Sequence, residues 1–264
     1  MVNDMPKDAL GVLSEIKKSF IIKRMKEGKR GDGRKPDEYR EIKIQTNYVP
    51  RAAGSALVEL GKTKILVGIK IDAGEPFPDT PNLGVFTTNV ELLPMAFPTF
   101  ESGPPNEMSI EVARVVDRGI RESKMIDFEK LVIEPGKKVW IVFADINVLD
   151  YDGNLFDACS FGVVAALKSA TLPASRFGGT DTSLPINNTP VSVTIAKLED
   201  VMVSDPDLEE EQMSTARITV TTTEDGHIRA MQKGDTGSFE MGEIRKAIKM
   251  SSDTGSIIRE KYLK

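Results

Sequence analysis

Apolar residues recur along the chain at two kinds of spacing, which predict helices and strands in a mixed order. Four segments carry apolar residues at helical spacing. They are residues 4–28, 106–123, 156–170 and about 238–262. After the first of them, GSALVEL (54–60) and KILVGIKI (64–71) follow each other as the arms of a hairpin do. The second arm is almost continuously apolar, so we expect it to be buried on both faces.

Further strand patterns and one linker complete the predicted order of elements. The other strand candidates are residues 41–49, 85–92, 137–150, 191–199, 201–205 and 216–232. A linker rich in Gly, Ser, Thr, Asn and Pro (175–190) separates two lobes. This order predicts an α+β fold with mixed sheets packed with helices, or alternatively a mixed-sheet α/β fold. Its parts are an extra N-terminal helix (1–29), a core lobe (30–176) and a second lobe with a C-terminal helix (185–264).

The predicted N-terminal helix has a single apolar stripe. The stripe contains Leu10, Leu13, Ile16, Phe20 and Met25, and basic residues fall between these positions. Charges mixed through the apolar positions argue against a signal peptide. No segment approaches the ~18 apolar residues that a membrane span needs. We therefore expect no membrane association.

Composition narrows the classes of function. The net charge is −5, so any contact with RNA or DNA has to come from a local cluster of Lys and Arg. The single cysteine, Cys159, fits a reducing, cytosolic compartment, and its apolar neighbours indicate a packed core thiol rather than a nucleophile. One Cys and one His are too few for a usual zinc site, so we expect no bound metal. His227 lies in the turn EDGHIR and is expected to face solvent.

The segment VLDYDGNLFDA (148–158) predicts a strand, a tight turn and the start of a helix. A glycine-containing turn before a helix N-terminus favours an anion such as phosphate, because free N–H groups and the helix dipole point towards it. No basic residue follows the turn, however. Gly153 and Asn154 are followed by the apolar Leu155, between Asp152 and Asp157. The sequence predicts the shell of a phosphate site without its cation.

Three arginines share one face of the helix predicted over residues 106–123. Arg114, Arg118 and Arg121 are spaced i, i+4 and i+7, and successive guanidinium groups would be roughly 5–6 Å apart along the axis. Such a row could follow the phosphates of a single RNA strand. Three glutamates near the same stripe offer the alternative of salt bridges within the helix. They are Glu107, Glu111 and Glu122.

The acidic run VSDPDLEEEQ (203–212) follows a predicted strand. Clustered carboxylates can bind Mg²⁺ or act as a general acid. An Asp-Pro step followed by glutamates is also typical of an exposed turn with a capping role, and the residues alone favour that interpretation.

Five stretches in this order resemble the RNase PH family, and in particular the non-catalytic RNase PH-like subunits of archaeal exosomes. They are RGDGRKPDEYREIKI (30–44), GSALVELGKTKILVGI (54–69), GPPNEMSIEVARVVDRGIRES (103–123), residues 131–167 and DPDLEEEQ (205–212). The resemblance covers nearly the whole chain. It implies the RNase PH-like fold, which is similar to domain 2 of ribosomal protein S5.

The resemblance also implies roles for the candidate residues. In active members the turn before the long helix carries a Gly-Ser/Thr-Arg motif that holds the attacking phosphate, whereas this chain has Gly153, Asn154 and Leu155. Two catalytic aspartates match Asp205 and Glu211 here, so the second acid is longer by one methylene. We therefore expect no catalytic residue in this chain and a structural role for Asp205.

By the same resemblance, Arg114 and Arg118 would bind the RNA backbone, with Arg121 as a further candidate. The expected partners are a catalytic RNase PH-like subunit in an alternating six-membered ring, RNA-binding cap subunits and single-stranded RNA. Neighbouring subunits would cover the N-terminal apolar stripe. Phosphate and Mg²⁺ would act at the catalytic partner, in the cytoplasm. The alternatives are a 3′→5′ phosphorolytic exoribonuclease active in its own right and a free-standing RNA-binding module.

Overall fold

The computed structural model describes residue 19 and residues 21–264. The chain is helical over residues 21–26 (α1), where Ile21 and Met25 pack on Leu198 and Val203 of the second lobe. The apolar stripe predicted for the N-terminal helix lies otherwise outside the described residues. Its members there are Leu10, Leu13, Ile16 and Phe20.

A six-stranded mixed sheet forms the first lobe, in the order β1-β2-β3-β6-β4 with the short β5 beside β6. Its strands are β1 (Ile42–Thr46), β2 (Gly54–Leu60), β3 (Thr63–Gly74), β4 (Val85–Leu92), β5 (Val132–Glu134) and β6 (Lys138–Asp150). The central β3 and β6 are antiparallel, while β4 lies parallel to β6 at one edge of the sheet. Two single-turn 3₁₀ helices lie outside this sheet, at Phe128–Leu131 and Ala174–Phe177.

An antiparallel four-stranded sheet in the order β10-β9-β11-β12 forms the second lobe. Its strands are β9 (Val191–Leu198), β10 (Val201–Ser204), β11 (Ala216–Thr222) and β12 (Ile228–Gly234). Two short strands pair with each other, β7 (Thr171–Leu172) just before the predicted linker and β8 (Thr182–Ser183) within it. The alternation of apolar and polar residues therefore predicted the main strands of both sheets correctly.

Helix α3 (Leu155–Lys168) lies between the two lobes, where it packs against β2 and β3 on one side and β9 on the other. All of its residues except Lys168 are buried, which explains why its sequence is apolar and rich in small residues. Helix α2 (Glu107–Glu122) packs against β4, α3 and β12, and α5 (Met241–Tyr262) packs against β9 and β11. Asn106 caps α2 by accepting the N–H of Ser109, as predicted from the sequence.

Two predictions about local structure are wrong. Residues of β3 are not buried on both faces, because only the side with Ile65, Val67 and Ile69 faces the core, whereas Leu66 is half-buried and Lys70 exposed. The described elements cover this sheet on one face only. The acidic run is not simply a turn, because it forms a short helix, α4 (Leu208–Met213).

Candidate functional site

The turn between β6 and α3 needs two residues with left-handed backbone angles. Gly153 has φ 88° and Asn154 has φ 58°. A side chain at residue 153 would also collide with the start of the acidic segment, since a Cβ there would lie 2.5 Å from the carbonyl carbon of Asp207. Glycine is required at this position both for the backbone angle and for this close approach.

The N-terminus of α3 already holds an anion, which the chain supplies itself. The backbone N–H of Asn154 donates to Oε2 of Glu211 at 2.7 Å, and the hydroxyl of Tyr151 donates to Oε1 of the same carboxylate at 2.9 Å. Burial raises the pKa of Glu211, and the two hydrogen bonds oppose that rise. A carboxylate in this place satisfies both the free N–H group and the helix dipole.

Leu155 adds no cation to the turn. Its side chain is only 2% exposed and belongs to the apolar core. An inorganic phosphate would have to displace the carboxylate of Glu211 and would find no charge-assisted partner at residue 155. The residues present therefore do not fit a bound phosphate.

The carboxylate of Asp205 is fully buried and is bound by two arginines. Arg40 donates to both of its oxygens, at 2.7 Å from Nη2 and 2.9 Å from Nε, and Arg34 donates to Oδ2 at 3.0 Å. The side-chain amide of Asn154 donates to Oδ1 at 2.8 Å. Burial favours a higher pKa for Asp205, but the hydrogen bond and charge of Arg40 outweigh it and lower the pKa below its usual value.

These contacts leave Asp205 without a free oxygen for a metal ion or a proton transfer. Arg40 also donates to the carbonyls of Asp152 and Gly153, so it joins the acidic segment to the turn. Among the described residues, no group of three acidic, His or Cys side chains could hold a metal ion. The site does not fit Mg²⁺ any better than phosphate.

Asp157 connects α3 to the second sheet. Its Oδ2 accepts hydrogen bonds from the hydroxyl of Tyr39 at 2.5 Å and from the backbone N–H of Thr194 at 2.9 Å, and the hydroxyl of Thr194 donates to Oδ1 at 2.8 Å. Complete burial raises the pKa of Asp157 to about 6 despite these hydrogen bonds. The carboxylate is a structural centre and has no contact with solvent.

The acidic segment thus has the capping role that its sequence suggested, but it is not exposed. The side chain of Asp207 caps α4 and forms a reciprocal capping box with Glu210. Glu210 in turn binds the guanidinium group of Arg30, and both side chains are buried. The expectation of an exposed turn is wrong for Asp205 and Glu210 because the loop before β1 brings arginines onto them.

The arginine face of α2 differs from this buried network. Arg114, Arg118 and Arg121 line an open cleft of about 410 Å³, together with residues of β4. Arg114 is exposed and has no ion pair or hydrogen bond from its side chain to any described residue. Arg118 donates only to the neutral side-chain oxygen of Gln232, at 3.1 Å. Two positive charges are therefore left open to the cleft.

Arg121 is held by other groups of the protein. Its Nε donates to Asp117 at 2.6 Å, and its Nη2 donates to the backbone carbonyl of Phe86. Of the three glutamates that offered helix salt bridges, Glu111 pairs instead with Arg217, at 2.9 Å. The salt-bridge alternative is therefore wrong for Arg114 and Arg118 within the described residues. A salt bridge does form at Arg121, but with Asp117 as its partner.

His227 and Cys159 lie in the surroundings that the sequence predicted for them, an exposed turn and the apolar core. His227 is exposed in the turn between β11 and β12, with its Nδ1 3.0 Å from Asp225. Cys159 is fully buried in α3, and burial raises the pKa of its thiol. None of the helices in the described part of the chain is long and apolar enough to cross a membrane.

Sequence reasoning missed the arginines and tyrosines that close the turn. Arg34, Arg40 and Tyr39 lie in a loop whose sequence carries no periodic signal, and Tyr151 reads as the end of a strand. The one sequence feature that could have predicted these contacts is charge. A segment with three arginines precedes β1, and the segment near residue 205 is acidic, so the two segments could form ion pairs. Only the fold brings the two segments together.

The chain belongs to the RNase PH family. The model of domain 1 of the 3′ exoribonuclease family matches residues 38–173, and that of domain 2 matches residues 188–254. The predicted resemblance and the RNase PH-like fold are thereby confirmed.

Curated relatives match over almost their entire length. A protein of Thermoplasma volcanium named exosome complex component Rrp42 is 66% identical over 98% of this chain and 100% of the relative. A protein of the same name from Thermococcus kodakarensis is 50% identical over 96% of each chain.

Solved structures agree with these matches. A chain of an Archaeoglobus fulgidus exosome with RNA bound to the active site has a TM-score of 0.92 and 46% identity, covering 95% of this chain and 99% of that one. A chain of an archaeal exosome core has a TM-score of 0.88 and 42% identity, covering 98% and 100%. At 18% identity and a TM-score of 0.69, rice Rrp46 shares the fold, over 89% of this chain and 100% of that one.

Proposed function

We propose that this chain is a non-catalytic, RNA-binding subunit of an archaeal-type exosome ring. A catalytic RNase PH-like homologue alternates with it and degrades RNA from the 3′ end by phosphorolysis. The similarity to proteins named exosome complex component Rrp42, and to chains of solved archaeal exosomes, supports the assembly. The observation that carries the non-catalytic role is the carboxylate of Glu211 on the N-terminus of α3.

Phosphorolysis needs an attacking phosphate held in line with the scissile bond, since positioning supplies much of the catalysis. Here the turn that would hold the phosphate already contains a carboxylate, and Leu155 contributes no charge. Asp205 is neutralised by Arg34 and Arg40, so it is a poor general acid. The chain itself would thus have no catalytic residue and would bind neither phosphate nor Mg²⁺, which act at the catalytic homologue.

RNA would be held by Arg114 and Arg118. They are one turn apart on α2, about 6 Å along the axis, and their charges are not used by other described side chains. Because the chain as a whole carries a net charge of −5, the cationic surface is local, and a neighbouring subunit would have to extend it. We assign Arg121 to shaping the cleft, because it is bound to Asp117 and to β4.

The remaining partners follow from the same assignment. Three copies of this chain and three of the homologue would form the ring, and RNA-binding cap subunits would sit on it. The apolar side of α1 already packs on the second lobe of the same chain, so the expected cover by a neighbouring subunit is wrong for Met25. A cytoplasmic location fits an RNA-degrading assembly of this kind.

The test is phosphorolysis by the isolated chain. Highly purified chain, incubated with single-stranded RNA, Mg²⁺ and saturating phosphate, should release no nucleoside diphosphates. Addition of the catalytic homologue should give a ring on gel filtration and restore release. Robust release by the chain alone would establish the alternative, a phosphorolytic exoribonuclease active in its own right. Two separate monomer peaks after mixing would exclude the ring.

A further inference from the structure

One hydroxyl group at the edge of the six-stranded sheet has no hydrogen-bond partner among the described residues. Thr88 lies in β4, and its Oγ1 is shielded from solvent without a hydrogen bond to any described residue. Most buried polar side-chain atoms in folded proteins are paired, because an unpaired one loses its bonds to water without compensation. We therefore expect the hydroxyl of Thr88 to form a hydrogen bond with a group that lies outside the described residues.

The position of Thr88 indicates where that partner would come from. Thr88 lines the same cleft as Arg114 and Arg118. The only other buried hydroxyl without a partner among the described residues is that of Ser251, which lies in α5 and is not among the residues lining the cleft. Thr88 and the two open arginines thus line one cavity, and rotation of the Thr88 side chain would turn its hydroxyl towards a ligand there.

The strand beside Thr88 is tied to α2 by a hydrogen bond. β4 is an edge strand, paired with β6 on one side only. Two residues before Thr88, the carbonyl of Phe86 accepts a hydrogen bond from Arg121, which ties the edge of the strand to α2. A chain of phosphates lying against Arg114 and Arg118 would pass along this edge.

We propose that the hydroxyl of Thr88 is a third RNA ligand in the arginine cleft. Arg114 and Arg118 bind phosphates, and Thr88 forms a hydrogen bond to the sugar–phosphate backbone between them. A threonine hydroxyl can donate to a phosphate oxygen, and it can donate to or accept from a ribose 2′-hydroxyl. This proposal rests on the proposed RNA-binding function of the cleft.

The test uses the full ring and compares three substitutions at Thr88. Thr88→Val keeps the shape and removes the hydroxyl, Thr88→Ala is a second hydroxyl-free variant, and Thr88→Ser keeps the hydroxyl. Without the hydroxyl, RNA affinity should fall about three- to tenfold, as expected for one neutral hydrogen bond. Thr88→Ser should bind within about twofold of the wild type, and so should the control Ser251→Ala.

Thermal unfolding separates binding from structure. Because the hydroxyl has no partner in the described part of the chain, Thr88→Val should unfold at the same temperature as the wild type or at a higher one. A hydroxyl with a structural role would give a lower unfolding temperature instead. Weaker RNA binding by a protein that is at least as stable is the signature of a ligand contact.

RNA and DNA strands of the same sequence identify the group that Thr88 binds. A loss confined to RNA assigns the hydrogen bond to the ribose 2′-hydroxyl, and an equal loss with DNA assigns it to a phosphate oxygen. The doubly substituted ring, Arg114→Ala with Arg118→Ala, is the reference. If that ring loses RNA while both hydroxyl-free variants bind normally, the inference about Thr88 is wrong and the function stands. If the arginine variant also binds normally, both are wrong.

Discussion

The turn before α3 and the arginine face of α2 are two polar regions treated in opposite ways. In the turn, the carboxylates of Asp157, Asp205 and Glu211 are all bound by groups of the same chain. On α2, Arg114 has no described partner and Arg118 has only a neutral one. One region is closed on itself, and the other is open to a ligand.

A turn with the shape of an anion site can thus be filled by a carboxylate of the same chain. The turn still has its glycine and its helix N-terminus, but the protein's own anion fills it. Buried charges that are fully paired contribute to a specific structure, and removing one partner is costly. Exposed charges that are unpaired contribute little to stability and remain available to an anionic ligand.

The largest expected effect is on the closed region. Replacing Arg40 by Met should lower the free energy of unfolding by about 3–5 kcal/mol, because Asp205 stays buried and loses its bidentate partner. Denaturant unfolding of the isolated chain measures this. The control is Arg176→Met, since Arg176 pairs with Asp72 at 3.0 Å on the surface and should cost at most about 1 kcal/mol. Equal costs for both variants would show that the network is not structural.

A smaller effect should appear as a pH dependence. The folded chain raises the pKa of Asp157 to about 6, from an ordinary value of 3.8, so the folded state holds that proton more tightly than the unfolded state. The stabilisation is complete below pH 3.8 and is lost as the pH rises through 6. Relative to Asp157→Asn, the wild type should therefore lose about 2 kcal/mol of unfolding free energy between pH 4 and 7.

The measurement is denaturant unfolding of both proteins at several pH values. The exposed Asp181 provides the control, because Asp181→Asn should show no comparable change in this window. A constant difference between wild type and Asp157→Asn would mean that Asp157 titrates normally. The carboxylate of Asp157 would then be more accessible to solvent than its burial in the structure implies.

The smallest expected effect is a difference in stability between variants of two arginines on α2. Arg121→Ala should cost about 1 kcal/mol of unfolding free energy, because it breaks the bonds to Asp117 and to the carbonyl of Phe86. Arg114→Ala should change stability by only a few tenths of a kcal/mol. Thermal unfolding of the two variants checks this. The reverse order would contradict the division into a structural and a binding arginine.

Local signals in the sequence predicted the long elements well. Helix α2 was marked by Asn106 at its start and by its apolar face, and α3 by a run of small apolar residues. The six-residue α4 was not predicted, because a short acidic run has no periodicity to separate a helix from a turn. The open outer face of β3 was missed because its sequence is as apolar as that of a strand buried on both sides.

The candidate site was harder to predict than the fold. The missing cation at Leu155 and the row of arginines are properties of single segments and could be seen in the sequence. The contacts that close the turn join residues far apart in the chain, such as Tyr39 with Asp157 and Asn154 with Glu211. Sequence spacing carries no information about such pairs, so the anion in the turn appears only in the folded structure.

The closed turn and the open arginines should differ in their effect on RNA binding, and the claim that Arg114 and Arg118 bind RNA can be measured in the assembled ring. The measurement is RNA affinity as a function of salt, for the wild type and for Arg114→Ala with Arg118→Ala. Ring mass is checked in parallel, and Lys130→Ala with Lys137→Ala, two exposed lysines outside the cleft, controls for the loss of charge. The intact ring with both arginines replaced should bind RNA at least about tenfold more weakly, at about 1.5–3 kcal/mol for each lost contact. Its affinity should also depend less steeply on salt. Unchanged affinity and salt dependence in an intact ring would contradict the claim and return both arginines to the surface of the helix.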